Sequence, residues 1–273
     1  MVRSVVRFFA AAVIGLALVA AAHSQSDKRE AVDVELVIAV DVSYSMDPDE
    51  QALQREGYID AISSRDFIDA VRKGPNGRIA VTYVEWAGVN EQKIIVPWQV
   101  IDGPEAAGAF VQTLNAAPIR RASRTSISGA LIFTTGLFEQ SPFKGLRRVI
   151  DVSGDGTNNQ GPLLEATRDE VVAKGITING LPVMLKEPNM SFLDIPDLDH
   201  YYEDCVIGGP GAFVVPARAR AQFVEAIRKK LLLEVAGKTP PREGVRIIPA
   251  VSPPRISCSS GEQMWQQRWG FPN

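Results

Sequence analysis

Histidine and cysteine are scarce: two of each in 273 residues, a shortage that removes several kinds of chemistry at once. Metal centres built from thiolate and imidazole need more of both, and a serine nucleophile needs a histidine base. His23 belongs to an amino-terminal segment, and His200 sits in the acidic stretch DIPDLDHYYED, where a solvated or loop-packing role is the ordinary reading. No Gly-rich phosphate loop of the P-loop form occurs, and SGDGTNNQG is a poor match to the dinucleotide fingerprint. Basic charge is not in surplus either. Lys and Arg number 29 against 32 Asp and Glu, which argues against a nucleic-acid partner.

Long apolar runs are also absent, except at the start. Residues 1–24 carry Arg3 and Arg7 in MVRSVVRFF, then AAAVIGLALVAAA, then small residues at Ala22 and Ser24. That is the layout of a secretory signal peptide, and its apolar part is short for a membrane span. Cleavage near Ala22 or Ser24 is expected, giving a periplasmic or secreted protein with no membrane span; a retained anchor is the alternative. Cleavage removes the charges of Arg3 and Arg7 and moves the formal net charge from −3 to −5. Cys205 and Cys258 suit an oxidising compartment as a disulfide. Two separate thiols fit the sequence equally well.

Apolar strand-like runs alternate with helix-like segments after that. VELVIAV (34–40), GRIAVTYVEW (77–86), LRRVIDVSG and ITINGLPVML read as strands, KIIVPW (93–98) as an edge strand because of Pro97, and AFVV as a sixth strand. The stretch from Asp49 to Val71, PEAAGAFVQTLNAA, SISGALIFTTGLFEQ, PLLEATRDEVVAKG and ARAQFVEAIRKKLLLEVA read as helices. Such alternation predicts an α/β domain over 33–236, doubly wound around a mainly parallel sheet. Continuous Val and Ile runs predict strands covered on both faces. Residues 237–273 are rich in Pro, Ser and Gly and read as an irregular tail.

Ligands of such sheets bind beyond the carboxyl ends of the strands. Asp41, Ser43 and Ser45 follow the first strand at alternating positions, so an extended chain brings their oxygens toward one point. An all-oxygen set suits Mg²⁺ or Ca²⁺. A Ser-rich turn capping the next helix is the alternative for this motif alone. Two further places add to it. Asp155 lies between Gly154 and Gly156 at the end of another strand, and Thr125 stands just before a helix, as a cap or as an oxygen ligand.

In this order, Asp41, Ser43, Ser45, Thr125 and Asp155 resemble the metal-ion-dependent adhesion site of the von Willebrand factor type A domain, and the chain resembles an exported bacterial subgroup of it. The resemblance implies a Rossmann-like sheet with Mg²⁺ at its top, Mn²⁺ or Ca²⁺ being alternatives. It also implies a protein partner whose Asp or Glu completes the ion's shell, and no catalytic residue. Haloacid dehalogenase-type chemistry would need an aspartate at position 43, which is serine. An assembly protein whose metal only braces the fold, or a metal-dependent hydrolase, are the competing functions. The motif departs from the family's usual Thr-Asp-Gly in reading SGDG. Asp151 is thus a second candidate, expected to lie in the strand and to hold the neighbouring turn. Glu85, Trp86, Asn158 and Asn159 are candidates for a partner-binding rim at the same sheet edge; packing under a loop is the alternative for Trp86, and ordinary turn chemistry for the two asparagines.

Overall fold

A computed structural model describes residues 28–185, 195–237 and 255–270; the segment read as a signal peptide lies outside them. Among the described residues, five strands form one sheet: β1 (Glu30–Asp41), β2 (Ile79–Trp86), β3 (Gln92–Ile101), β4 (Phe143–Gly154) and β5 (Ile176–Pro182). Their order is β3-β2-β1-β4-β5. Only β2 and β3 pair antiparallel; β1 runs parallel to β2 and β4, and β4 to β5. The mainly parallel α/β architecture is thus the one that the alternation of elements predicts.

Central β1 is buried continuously from Val32 to Asp41. Its side chains alternate between two cores, as the pleat requires. Val34, Leu36, Ile38 and Val40 face a layer made by α1 (Pro48–Ser63), α2 (Arg65–Arg72), α3 (Pro104–Ala116) and α7 (Phe223–Ala236), through Tyr58, Phe67, Phe110 and Phe223. Val37 and Ala39 face α4 (Ile127–Glu139), α5 (Leu164–Ala173) and α6 (Leu198–Tyr201), through Ile127, Leu131, Val171 and Tyr201. Each such side chain contributes about 1.5–3 kcal/mol on full burial. A strand with two covered faces has no position for a solvated residue. Hence the apolar run from Leu36 to Val40, with Asp33 and Glu35 buried ahead of it.

Three expectations need correction. The helix expected over 49–71 is two helices, because Ser64 is extended (φ −68°, ψ 144°) and its hydroxyl accepts from Phe67 N–H to start α2. AFVV is not a sixth strand. Glycines with positive φ at Gly209 and Gly211 turn the chain so that only isolated bridges join Gly208, Val214 and Ala217 to β5.

The tail is not uniformly irregular, since Ser260–Trp269 form a further helix, α8. Its composition carries little apolar drive, so tertiary ties hold it. Cys205 and Cys258 are joined in a disulfide, and Arg255 pairs with Glu203 and Asp204. Gly261 lets the helix press onto the loop after β4: a Cβ there would lie 2.1 Å from the Asn158 carbonyl oxygen, which no side chain permits.

Candidate metal centre

Parallel pairing brings the ends of β1 and β4 side by side, with Val40 opposite Ser153. Asp41 closes β1, and Asp155 follows the last residue of β4. The β1–α1 turn folds back on Asp41, whose Oδ1 accepts the Ser43 N–H at 2.7 Å. That turn aligns the hydroxyls: Ser43 Oγ and Ser45 Oγ are 2.7 Å apart, and Ser45 Oγ donates to Asp155 Oδ1 at 2.6 Å. Beyond the turn, Asp47 and Glu50 form a reciprocal cap on α1 with Pro48 at its first position, so the helix starts without using the motif serines. Asp41 likewise has no helix to cap.

Thr125 reaches the same edge from another loop. Arg124 before it has φ 72°, the only positive φ outside glycine among the described residues, and this kink turns the chain toward the sheet. Asn159 fastens the Thr125 loop to the loop after β4: Thr125 N–H donates to Asn159 Oδ1 at 3.0 Å, and Asn159 N–H to the Thr125 carbonyl at 2.9 Å. Capping of α4 falls to Ser126, whose hydroxyl accepts from Gly129 N–H. Thr125 Oγ1 lies 3.7 Å from where a Gly156 Cβ would stand, beside Asp155.

Electrostatics favour a cation here. Burial first, and then the neighbouring Asp155 carboxylate, push Asp41 well above the usual carboxylate range, against the pull of the Ser43 and Asp155 amides. Asp41 is fully buried, and its Oδ2 has no hydrogen-bond partner among the described residues. Tyr202, unremarked in the sequence, closes the floor. A Cβ on Gly154 would sit 2.9 Å from Asp41 Oδ2 and 3.0 Å from the Tyr202 hydroxyl, which also lacks a partner. Burial, then Asp41 and Asp155, raise the Tyr202 phenol. A buried carboxylate with an orphaned oxygen, a second carboxylate and aligned hydroxyls is a donor set that suits a hard divalent ion.

The four expected rim residues are all buried. Trp86 is fully enclosed in the core under α4, because the last β2 side chain points to that face. Glu85, on the other face, is held by Arg55 at 2.5 Å. Asn158 is an internal brace, accepting from Ser128 N–H and donating to Glu262 of α8 at 2.6 Å, while Asn159 is the clasp on Thr125. Asp151 does not hold a turn: it is buried against Lys230 of α7 and accepts from Tyr58. Asp197, Asp199 and His200 lie close together elsewhere, with Asp199 already on Arg218.

Comparison with known proteins agrees with this architecture. The family described as "Protein of unknown function (DUF1194)" matches residues 31–239. The collagen alpha-1(VI) chain of Gallus gallus is 28% identical over 180 residues, 62% of this chain and 16% of that protein. Among solved structures, the von Willebrand factor type A protein from Catenulispora acidiphila superposes with a TM-score of 0.52 at 14% identity, covering 76% of this chain and 43% of that one. Proximal thread matrix protein 1 of the mussel byssus, in a structure with a zinc-occupied MIDAS motif, gives 0.51 at 13% identity, covering 76% and 49%. The chain thus spans less than half the length of each of these three.

Proposed function

The chain belongs to the DUF1194 family and has the von Willebrand factor type A fold, and from that premise we propose that it is an exported, metal-dependent protein-binding module. Asp41, Ser43, Ser45, Thr125 and Asp155 would hold a divalent cation, Mg²⁺ by the hardness of the donor set. The observation that carries this is the orphaned, buried Oδ2 of Asp41 beside the Ser43–Ser45–Asp155 chain of oxygens.

A bound ion supplies a positive centre that accepts one more oxygen ligand, here an Asp or Glu of a partner protein. This chain's residues do the rest. Asp41 and Asp155 offset the charge of the ion, so the centre is near neutral and still accepts a carboxylate. The two serines and Thr125 orient neutral oxygens without adding charge. Asn159 keeps the Thr125 loop in register with Asp155. The likeness to a collagen chain and the composition of residues 1–24 support a periplasmic or secreted location.

The test is affinity capture from the native envelope in Mg²⁺ and in chelator, with Thr125→Ala alongside. Capture lost in chelator and in Thr125→Ala, with the fold intact, supports the module. Capture unchanged by chelator would leave any metal as a brace.

A further inference from the structure

Residues 120–124 read RRASR, a local concentration of positive charge in an acidic chain. Arg120 is engaged, 3.1 Å from Glu91 and 4.0 Å from Glu85. For Arg121 and Arg124, no carboxylate among the described residues lies within ion-pairing distance. Both are nonetheless fixed in place.

Arg121 is pinned to the turn that carries the serines. It donates to the carbonyls of Tyr44 at 2.8 Å and Met46 at 2.7 Å, and lies 5.2 Å from the centre of the Tyr44 ring. Tyr44 is 61% exposed, so the pair stands on the surface. Arg124 is half-buried and stacks 3.4 Å over the ring of Trp265 on α8. Trp265 in turn stacks on Trp269, which is 51% exposed. One nitrogen of Arg124, Nη1, is enclosed with no acceptor. A non-glycine residue in the left-handed region is strained and is held there only where the surroundings impose it. Here the Thr125–Asn159 clasp and the Trp265 stack impose it.

Between the two arginines, Ala122 bridges to Ser43 and its N–H bonds the Val42 carbonyl at 3.0 Å. The segment 121–125 therefore runs along the Asp-x-Ser-x-Ser turn, with one guanidinium at each end and Thr125 as its last residue. A near-neutral metal centre pulls weakly on a lone carboxylate. Two flanking guanidiniums add the positive charge that it lacks, and charged hydrogen bonds are about twice as strong as neutral ones.

We propose that this rim recognises a protein segment with several acidic residues close together, one carboxylate directed to the metal centre and its neighbours to Arg121 and Arg124. The metal-directed part rests on the function proposed above, and the arginine part stands on its own geometry. Trp265 and Trp269 add the aromatic surface typical of binding hot spots, and α8, through its ties to Asn158 and Cys205, is the element that presents them.

Fluorescence anisotropy of an oligoglutamate peptide against a same-length serine peptide holding one glutamate tests this with the full chain. In Mg²⁺, the oligoglutamate should bind at least about tenfold more tightly, as two extra charged contacts require. Arg121→Gln with Arg124→Asn should abolish that preference; Asn is chosen because it tolerates positive φ. Arg121→Lys should keep part of the preference by keeping the charge. Equal affinity of the wild type for both peptides overturns the inference, as does a preference that survives the double substitution. If chelator abolishes binding while the arginine variants bind normally, the acidic-segment inference fails and the metal reading stands. An arginine-dependent preference that persists in chelator supports the acidic segment and overturns the metal bridge.

Discussion

Asp151 lies near the end of β4 and Asp155 just after it, yet the fold sets a lysine against the first and another carboxylate against the second. Inside, Asp151 and Glu234 share Lys230, whose Nζ is 2.5 Å from Glu234, while Asn179 adds a hydrogen bond to Glu234 at 3.1 Å. Burial works against the charge of Lys230, but Asp151 and Glu234 outweigh it and hold its pKa up. At the sheet edge, Asp41 faces the Asp155 carboxylate, which adds to burial in pushing Asp41 up. One cluster is neutralised from within. The other sets two carboxylates side by side where the motif hydroxyls gather, and that difference separates a brace from a candidate site.

The largest effect should come from removing the internal cation. Lys230→Met leaves two buried carboxylates with none, and should cost about 3–5 kcal/mol in urea unfolding at alkaline pH. A loss below about 1 kcal/mol would mean that the carboxylates neutralise themselves, and the contrast with the edge would vanish.

At the edge the sign should reverse. Asp41→Asn removes a buried, mutually repelled charge, so in chelator the variant should be as stable as the wild type or more so. Mg²⁺ at about 100 times its dissociation constant should then stabilise the wild type by roughly 2.7 kcal/mol and the variant hardly at all. Calorimetry with and without Mg²⁺ checks both halves, and a variant that is weakened in chelator would show Asp41 to be already satisfied.

A smaller effect reports on the internal proton. Burial first, and then Asp151, raise Glu234 from 4.5 to about 7. A carboxyl whose folded pKa is raised contributes stability below its unfolded value and loses it as pH climbs through the folded one. Between roughly pH 5 and pH 8, the wild type should therefore lose about 2 kcal/mol relative to Glu234→Gln. Parallel pH profiles would place the shared proton elsewhere. Smallest of all, Thr125→Ala in chelator should cost less than about 1 kcal/mol, since its backbone clasp to Asn159 survives and the side chain removed is small. A larger loss would make the hydroxyl part of the brace.

What the sequence makes legible follows from how local each signal is. β1 is readable because two covered faces write one continuous run of Val, Leu and Ile. Asp41, Ser43 and Ser45 are readable because a single turn of the chain gathers them, and Asp155 because glycines flank it where a strand stops. Strand position gave the sheet edge for Glu85 and Trp86 but not their depth: Arg55 arrives from α1 to cover one, and α4 covers the other. Lys230 is hidden for a similar reason, since a lysine within a helix reads as solvated until β4 supplies its partner. Nor does composition forecast α8, whose ties are a distant disulfide, the Arg255 ion pairs and one close-fitting glycine. Nothing in the sequence sets Arg121 and Arg124 apart from other loop charges; the kink at Arg124 and the ring of Trp265 set them on the rim.

The bridges from Gly208, Val214 and Ala217 to β5 bear on self-association. A sheet open at both sides can add strands from other copies without limit, as fibrils do. Here one side is already occupied by the chain itself, and the other, β3, carries Pro97, which withholds one donor, and Lys93, which repels its like. Concentrated protein should thus resist strand-by-strand stacking. A domain-swapped or fibrous species would have to begin by peeling residues 207–217 from β5, making that segment the point to watch in any destabilised variant.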